Sequence, residues 1–145
     1  MNNPNQIIKT WNDAYLLDIP VIDEQHKKLF EIYDELSHIV SDNEPQNDFN
    51  IKQILIRLEE YTKFHFNTEE KYMTNIKCEG LEQHKNEHRL FENKLADWQL
   101  AFEYKNTMLA KNILNFIKKW LVSHIMESDT YYKDKMQAYF AANPI

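Results

Sequence analysis

The chain has 145 residues, enough for one domain with a sizeable hydrophobic core. Hydrophobic residues make up 43% of the chain and aromatic residues 13%, a composition that folds rather than stays disordered. The formal net charge of -6 argues against a nucleic-acid partner, because phosphate binding needs clustered Lys and Arg.

The first predicted element is an apolar stretch before Asp23 that has no regular period and contains Trp11 and Leu16. We expect this stretch to be an extended arm that packs along the rest of the molecule. The first helix is predicted to begin near Asp23, because Asp is a favoured N-cap residue. The buried face of this helix carries apolar residues at spacings of three and four. These residues are Leu29, Phe30, Tyr33, Leu36 and Val40, and His26 extends the same face.

Three further helices with the same periodicity follow the polar loop "SDNEPQND" (41–48). The stripe of the second helix is Ile51, Ile54, Leu55, Leu58, Tyr61 and Thr62, continued by His65, Glu69 and Tyr72. A turn around "KCEG" (77–80), which contains the only glycine, Gly80, separates this helix from the third. The third stripe is Leu81, His84, His88, Phe91, Leu95, Trp98 and Phe102. The fourth stripe is Ala110, Ile113, Leu114, Ile117, Leu121 and His124.

Four long helices with short connections, and only one Gly and four Pro, predict an all-α fold. The expected architecture is an antiparallel up-down-up-down four-helix bundle with an extended N-terminal arm and a short C-terminal helix. One domain should span residues 1–145. Its predicted parts are the arm 1–22, helices at about 23–41, 49–74, 81–104 and 107–127, and a C-terminal segment 129–145.

Five of the six histidines lie on the buried stripes, where unpaired polar groups each cost about 1–3 kcal/mol. These histidines are His26, His65, His84, His88 and His124. A metal would remove the cost, since each ring nitrogen gains a coordination bond. His38 lies off the stripe of its helix.

The spacing of the polar residues on the stripes supports a shared site. His65 and Glu69 are four residues apart, as are His84 and His88, so each pair projects from one helix face. His124 and Asp129 are five apart, or about 140° on an ideal α-helix. That last pair converges only if the helix unwinds locally or Asp129 reaches in from the next turn.

Five imidazoles and two carboxylates exceed the ligands that one zinc or iron ion accepts. They suit two metals bridged by the carboxylates, and the ligand types favour iron, copper or zinc over calcium and magnesium. A structural zinc site is the alternative that the residues leave open.

Two other metal motifs fail on this chain. "HKNEH" (84–88) matches the H-x-x-E-H string of inverzincin proteases, but too little chain follows for that scaffold, and His26, His65 and His124 stay unexplained. Glu35 and His38 form one Glu-x-x-His, whereas a ferritin-like di-iron site needs two such motifs and two more Glu.

Four segments in order resemble the signatures of the hemerythrin family, most closely its single-domain bacteriohemerythrins. They are "IDEQHKKLF" (22–30), "HFNTEE" (65–70), "HKNEH" (84–88) and "HIMESD" (124–129). The likeness runs from Trp11 to about Tyr132. Cys78 and Glu79 replace a Tyr-Pro pair that many relatives carry, a difference that bears on the shape of one loop and on one wall of the site, but on none of the ligands.

The resemblance implies a centre with two iron ions per chain. His84, His88 and His124 would hold one iron, and His26 and His65 the other. Glu69 and Asp129 would bridge the two irons, together with an oxo or hydroxo group. Tyr132 falls where relatives often carry a tyrosine near the cluster.

The function implied by the resemblance is reversible binding of dioxygen, for oxygen storage, delivery or sensing. The alternative is a di-iron enzyme that acts on nitric oxide or peroxide, and nitric oxide or other small anions could bind the same site. Leu121 and Ile125 are candidates for an apolar wall of the site, although plain core packing explains either one equally well. No catalytic residues are assigned.

The expected setting is a cytoplasmic monomer with no membrane or nucleic-acid partner. The start of the chain lacks the apolar core of a signal peptide, and no apolar run reaches about 18 residues. The single cysteine, Cys78, excludes an intrachain disulfide and a four-cysteine metal site.

Overall fold

The computed structural model of the chain describes residues 9–42, 47–101 and 107–143. The α-helices in these ranges are α1 (Pro20–Asp42), α2 (Asn47–Asn75), α3 (Leu81–Ala101), α4 (Thr107–Ser123) and α5 (Lys133–Ala142). A π-helical turn, His124–Ser128, continues α4, and two 3₁₀ turns lie at Asp13–Tyr15 and Asp129–Tyr131. Helix α1 packs against α2 and α4, and α2 packs against α3. The predicted all-α, antiparallel four-helix bundle is confirmed.

The start of α1 differs from the prediction that placed it near Asp23. The helix begins at Pro20, and the first helical hydrogen bond runs from the Asp23 N–H to the Ile19 carbonyl, at 2.8 Å. Proline suits the first helical position, because its fixed φ is already helical and no N–H is lost there. The Asp23 carboxylate instead accepts hydrogen bonds from the N–H groups of Leu17 (2.8 Å) and Ile19 (3.0 Å). Asp23 therefore ties down the end of the arm, and the arm ends at residue 19 rather than 22.

The described part of the arm lies against α1. The Tyr15 ring stacks on Phe30 with ring centroids 5.4 Å apart, and Trp11 meets Phe30 edge to face at 5.6 Å. The Thr10 N–H donates to the Asp34 carboxylate at 3.0 Å. These contacts hold the arm along the bundle in spite of its irregular backbone.

The four predicted stripes meet in a principal core. Its members include Leu29, Phe30, Leu36, Ile54, Leu55, Leu58, Phe66, Phe91, Leu95, Ile113, Ile117, Leu121 and Ile125. Helices α3 and α4 are joined mainly by aromatic rings, with Phe91 stacked on Trp120 at 4.3 Å. The predicted core residue Phe102 and the predicted end of the third helix at 104 lie outside the described residues.

The connectivity of the bundle brings the polar ends of the stripes together. In an antiparallel bundle the start of α1, the end of α2, the start of α3 and the end of α4 lie at one end. A second apolar cluster closes this end beyond the principal core. It consists of Leu17, Ile19, Ile22, Met73, Tyr132 and Met136, from the arm, α1, α2 and the C-terminal segment. Within the described ranges, no helix is both long and apolar enough to cross a membrane.

Candidate metal centre

All seven predicted ligands meet between the principal core and the second apolar cluster. Their side chains come from α1, α2, α3, the π-helical turn and the residue after it, and each is 0–5% exposed. The residues are His26, His65, Glu69, His84, His88, His124 and Asp129.

The ligand atoms fall into two overlapping groups, and within each group they all lie within 4.8 Å of one another. The three-histidine group contains His84, His88 and His124 with Glu69, and the two-histidine group contains His26 and His65 with Glu69. Glu69 Oε1 lies 2.9 Å from His65 Nε2 and 3.4 Å from His88 Nε2. One carboxylate therefore contacts both groups.

Asp129 also divides its two oxygens between the groups. Its Oδ2 lies 3.0 Å from Nε2 of His26, whereas its Oδ1 lies 2.9 Å from Nε2 of His84 and 3.1 Å from Nε2 of His124. Neighbouring ligand atoms around a six-coordinate ion with bonds of about 2.1 Å are about 3 Å apart. The observed separations match that spacing.

Six atoms that face the centre are buried and have no hydrogen bond among the described residues. They are Nε2 of His26, His65 and His84, Oε1 of Glu69, and both carboxylate oxygens of Asp129. Buried polar atoms are normally paired, and each unpaired one costs about 1–3 kcal/mol. Nitrogens and oxygens that approach to about 3 Å without hydrogen-bond geometry are arranged as ligands are around a cation. The residues therefore fit a metal.

The π-helical turn explains how His124 and Asp129 converge across a five-residue spacing. The Asp129 N–H donates to the His124 carbonyl, which is the i to i+5 bond that widens a helix. The wider turn replaces the 140° separation of a regular α-helix and brings both side chains to the same centre. The spacing leaves open either local unwinding or an Asp129 that reaches in from the next turn, and local unwinding is observed. As a result, α4 ends at Ser123 rather than near 127.

Three of the histidines are oriented by a residue on the preceding helix. His65 Nδ1 lies 2.7 Å from Oε1 of Gln25, and His88 Nδ1 lies 2.7 Å from Oε2 of Glu70. His124 Nδ1 lies 3.1 Å from Oε2 of Glu87. For His65 and His88 the oxygen acceptor holds the proton on Nδ1, which leaves the Nε2 lone pair free to face the centre. The Glu87 contact is an ion pair, and Oε2 of Glu87 has no hydrogen bond among the described residues.

Sequence reasoning missed these three oxygen acceptors. Gln25, Glu70 and Glu87 are each next to a predicted ligand in the chain, but each contacts a histidine of another element. The only sign of them in the sequence is that each is a polar residue beside a predicted ligand.

Aromatic rings support two ligands of the three-histidine group. Phe66 stacks on the His88 ring with centroids 3.8 Å apart and planes 4° apart, and Trp120 stacks on His124 at 4.4 Å and 10°. Such contacts restrict ring rotation, so the direction of each Nε2 is fixed by the stacked ring as well as by the contact at Nδ1.

The charges of the cluster shift several pKa values in the metal-free protein. Burial lowers the pKa of His84, but its contacts with Asp129 and Glu69 outweigh burial and raise the pKa to about 10. For His124, burial lowers the pKa and the contact with Asp129 raises it, and the net result is a pKa raised to about 9. Burial lowers the pKa of His65. Although burial alone would raise the pKa of Glu69, the neighbouring histidines hold it well below its usual range.

The other residues singled out in the sequence lie around this centre or away from it. The Tyr132 hydroxyl donates to Oε2 of Glu69 at 2.6 Å. Leu121 and Ile125 are each 1% exposed in the principal core. His38 lies outside the cluster and is partly exposed. Cys78 is a partly exposed free thiol packed against the second apolar cluster.

A small cavity reaches the three-histidine group from the surface. Its volume is about 200 Å³, and its lining includes His84, Glu87, Glu127, Ser128 and Tyr131. The two-histidine group does not contribute to this lining, so the cavity approaches one side of the centre.

Comparisons with known proteins agree with this geometry. The family model described as Hemerythrin HHE cation binding domain matches residues 17–136. The bacteriohemerythrin of Clostridium acetobutylicum is 32% identical over 126 residues, which cover 86% of this chain and 98% of that protein. The hemerythrin subunit alpha of Lingula reevii is 29% identical over 126 residues, which cover 87% of this chain and 93% of that protein.

The fold is also found in a solved structure. The crystal structure of wild-type hemerythrin superposes with a TM-score of 0.74 at 26% sequence identity. The match covers 88% of this chain and 96% of that chain. The fold of this chain is therefore a known arrangement.

Proposed function

Because the chain belongs to the hemerythrin family, we propose that it is a non-haem iron protein that binds dioxygen reversibly, for oxygen storage, delivery or sensing. The observation that carries this proposal is the buried cluster of five imidazoles and two carboxylates, in which six centre-facing atoms have no hydrogen bond to any described residue. A structural zinc site would leave three of these seven ligands unused, since such sites take four ligands.

The proposed centre holds two irons. His84, His88 and His124 bind one iron, His26 and His65 bind the other, and Glu69 and Asp129 bridge them, together with an oxo or hydroxo group. The contacts of both carboxylates with histidines of both groups support the bridging role. A diferrous centre would supply dioxygen with one electron from each iron and recover both electrons on release.

The side chains of this chain have three tasks in that chemistry. The imidazoles bind through the Nε2 lone pair, and Gln25 and Glu70 hold His65 and His88 in the tautomer that this requires. The helices keep seven ligands in place across five elements. The apolar residues of the two core clusters surround the centre and limit the entry of water.

The proposal is tested by metal analysis together with cycles of oxygenation. Protein produced with ample iron should contain about two irons per chain. After anaerobic reduction, oxygen should produce a new visible absorption band, and removal of oxygen should abolish it over several cycles. Zinc in place of iron would refute the proposal.

The same experiment separates binding from catalysis. An enzyme would consume oxygen, peroxide or nitric oxide repeatedly in the presence of a reductant. Turnover well above the rate of spontaneous oxidation, with no reversible band in the first cycle, would favour the enzyme.

A further inference from the structure

The two halves of the centre differ in the charge of the groups that hold their histidines. On the two-histidine side, the partner of His65 is the neutral amide of Gln25 at 2.7 Å. The Nδ1 atom of His26 is buried and has no hydrogen bond in the described part of the chain. This half therefore receives no negative charge through its imidazoles.

On the three-histidine side, the partners are carboxylates. Glu70 Oε2 lies 2.7 Å from Nδ1 of His88, and Glu87 Oε2 lies 3.1 Å from Nδ1 of His124. Two of the three imidazoles thus have a carboxylate beside Nδ1, in a hydrogen bond for His88 and at ion-pair distance for His124. A carboxylate at this position makes an imidazole a stronger electron donor to its metal than an amide does.

A surface arginine moderates one of these carboxylates. Nη2 of Arg89 lies 2.9 Å from Oε1 and 3.1 Å from Oε2 of Glu70, and its Nη1 lies 3.0 Å from Glu92. The positive charge of Arg89 partly neutralises the Glu70 carboxylate and so weakens the effect of Glu70 on His88. Among the described residues, Glu92 pairs with Arg89 and contacts none of the five histidines.

We propose that Glu70 is a positioning residue that makes the three-histidine iron the first of the two to be oxidised. This inference rests on the two-iron centre of the proposed function. A ferric ion gains more than a ferrous ion from electron-rich ligands and from nearby negative charge, because the attraction scales with its own charge. The neutral partner on the other side gives no such preference.

The step concerned is the loss of a single electron. An outer-sphere oxidant such as ferricyanide accepts the electron and becomes ferrocyanide, while one iron goes from ferrous to ferric. The Nδ1 proton of His88 remains in its hydrogen bond to Glu70, and no bond is formed or broken at the imidazole. Loss of a second electron, from the two-histidine iron, requires a more positive potential.

Three substitutions test the sign of the effect. Glu70→Gln keeps an oxygen acceptor and removes the charge, so the first potential should rise. The expected size is about a tenfold change in the oxidation equilibrium, or about 59 mV for one electron. Arg89→Gln leaves Glu70 with its full charge, so the first potential should fall by a smaller amount. Gln25→Glu adds charge to the other half and should lower the second potential.

Glu35→Gln is the matched control, since it removes the carboxylate of a different surface pair, Glu35 with Arg57 at 2.8 Å, and leaves the pair of Arg89 with Glu70 intact. The measurement is an anaerobic redox titration of the iron-loaded protein with mediators, together with iron content for each variant. Both potentials of Glu35→Gln should equal those of the unmodified chain within error.

Unchanged potentials in Glu70→Gln and Arg89→Gln, with full iron content, would overturn the inference and leave these residues a purely structural role. If Glu70→Gln loses iron, Arg89→Gln decides, because Arg89 is half-exposed and touches no ligand. If the unmodified protein binds no iron, the proposed function fails instead, so the two failures are distinguishable.

Discussion

Tyr132 shows how one side chain from outside the bundle completes the centre. The residue is fully buried, and its hydroxyl occupies one lone pair of the Glu69 carboxylate. Burial and the negative charges of Asp129 and Glu69 raise the pKa of the phenol well above its usual value. The hydroxyl therefore keeps its proton and acts as a hydrogen-bond donor.

The substitution Tyr132→Phe should destabilise the fold by about 1–3 kcal/mol, because a buried carboxylate loses a hydrogen bond that nothing replaces. Iron content should stay at the level of the unmodified chain, since no proposed ligand is removed. Urea unfolding and metal analysis measure the two quantities. Full stability in the variant would contradict the importance of this hydrogen bond.

A second comparison at this scale separates ligands from ordinary histidines. His65→Ala should lose or scramble the metal centre, because one of two imidazoles on that side disappears. His38→Ala should keep its iron and change the free energy of unfolding by no more than about 0.5 kcal/mol. Iron measured after purification decides, and equal losses in both variants would refute the ligand assignment.

Site residues can be predicted from the sequence where they lie on the periodic buried stripe of a helix. The seven proposed ligands stand out because polar residues interrupt apolar stripes. Gln25, Glu70 and Glu87 interrupt nothing, and each acts across an interface between elements. Their roles depend on how two helices lie relative to each other, and the sequence pattern of one helix does not give that information.

At the scale of elements, the π-helical turn departs most from a regular helix. Its hydrogen bonds are less favourable than those of an α-helix, and such turns are often found at functional sites. His124 and Asp129 both lie in the cluster only because of this turn. The five-residue spacing predicts a local distortion but does not identify its kind.

The end of α2 holds a second irregularity, which offers a test. Lys77 has a φ of 54°, the Cys78 N–H donates to the Met73 carbonyl at 2.9 Å, and the Lys77 N–H donates to Thr74 at 3.1 Å. This is the Schellman pattern, in which the left-handed position favours glycine. The sequence predicts a turn at "KCEG" (77–80), which includes this position, but the left-handed residue is Lys77, and Gly80 has no positive φ.

Lys77→Gly should therefore stabilise the protein by about 0.5–1 kcal/mol, since the left-handed strain exceeds the extra entropy of glycine. The control is Lys71→Gly, an exposed position within α2, which should destabilise by about 1 kcal/mol. Chemical denaturation measures both. If both variants changed the free energy of unfolding in the same direction, the result would contradict a strained helix end.

For the whole molecule, the position of the site follows from topology. Helical periodicity predicts four stripes, and an antiparallel order places their polar ends together. Helix ends are harder to predict, because Asp23 has the side chain of an N-cap and yet binds the arm. Tertiary contacts of this kind outweigh local preference wherever a loop packs on a helix.

Removal of the metal should lower the stability of the whole bundle, because the centre joins α1, α2, α3, the π-helical turn and Asp129. A ligand that binds only the folded state adds about 4 kcal/mol when its concentration is a thousand times its dissociation constant. For a chain of this size, that amounts to about 8–16 °C in the melting temperature. The comparison is thermal unfolding of iron-loaded and chelator-treated protein, with His65→Ala treated in the same way. The unmodified protein should lose most of this stabilisation on chelation, whereas the variant should change much less. Equal melting temperatures with and without iron would show that the cluster is stable by itself, and that its unpaired buried atoms do not depend on a metal.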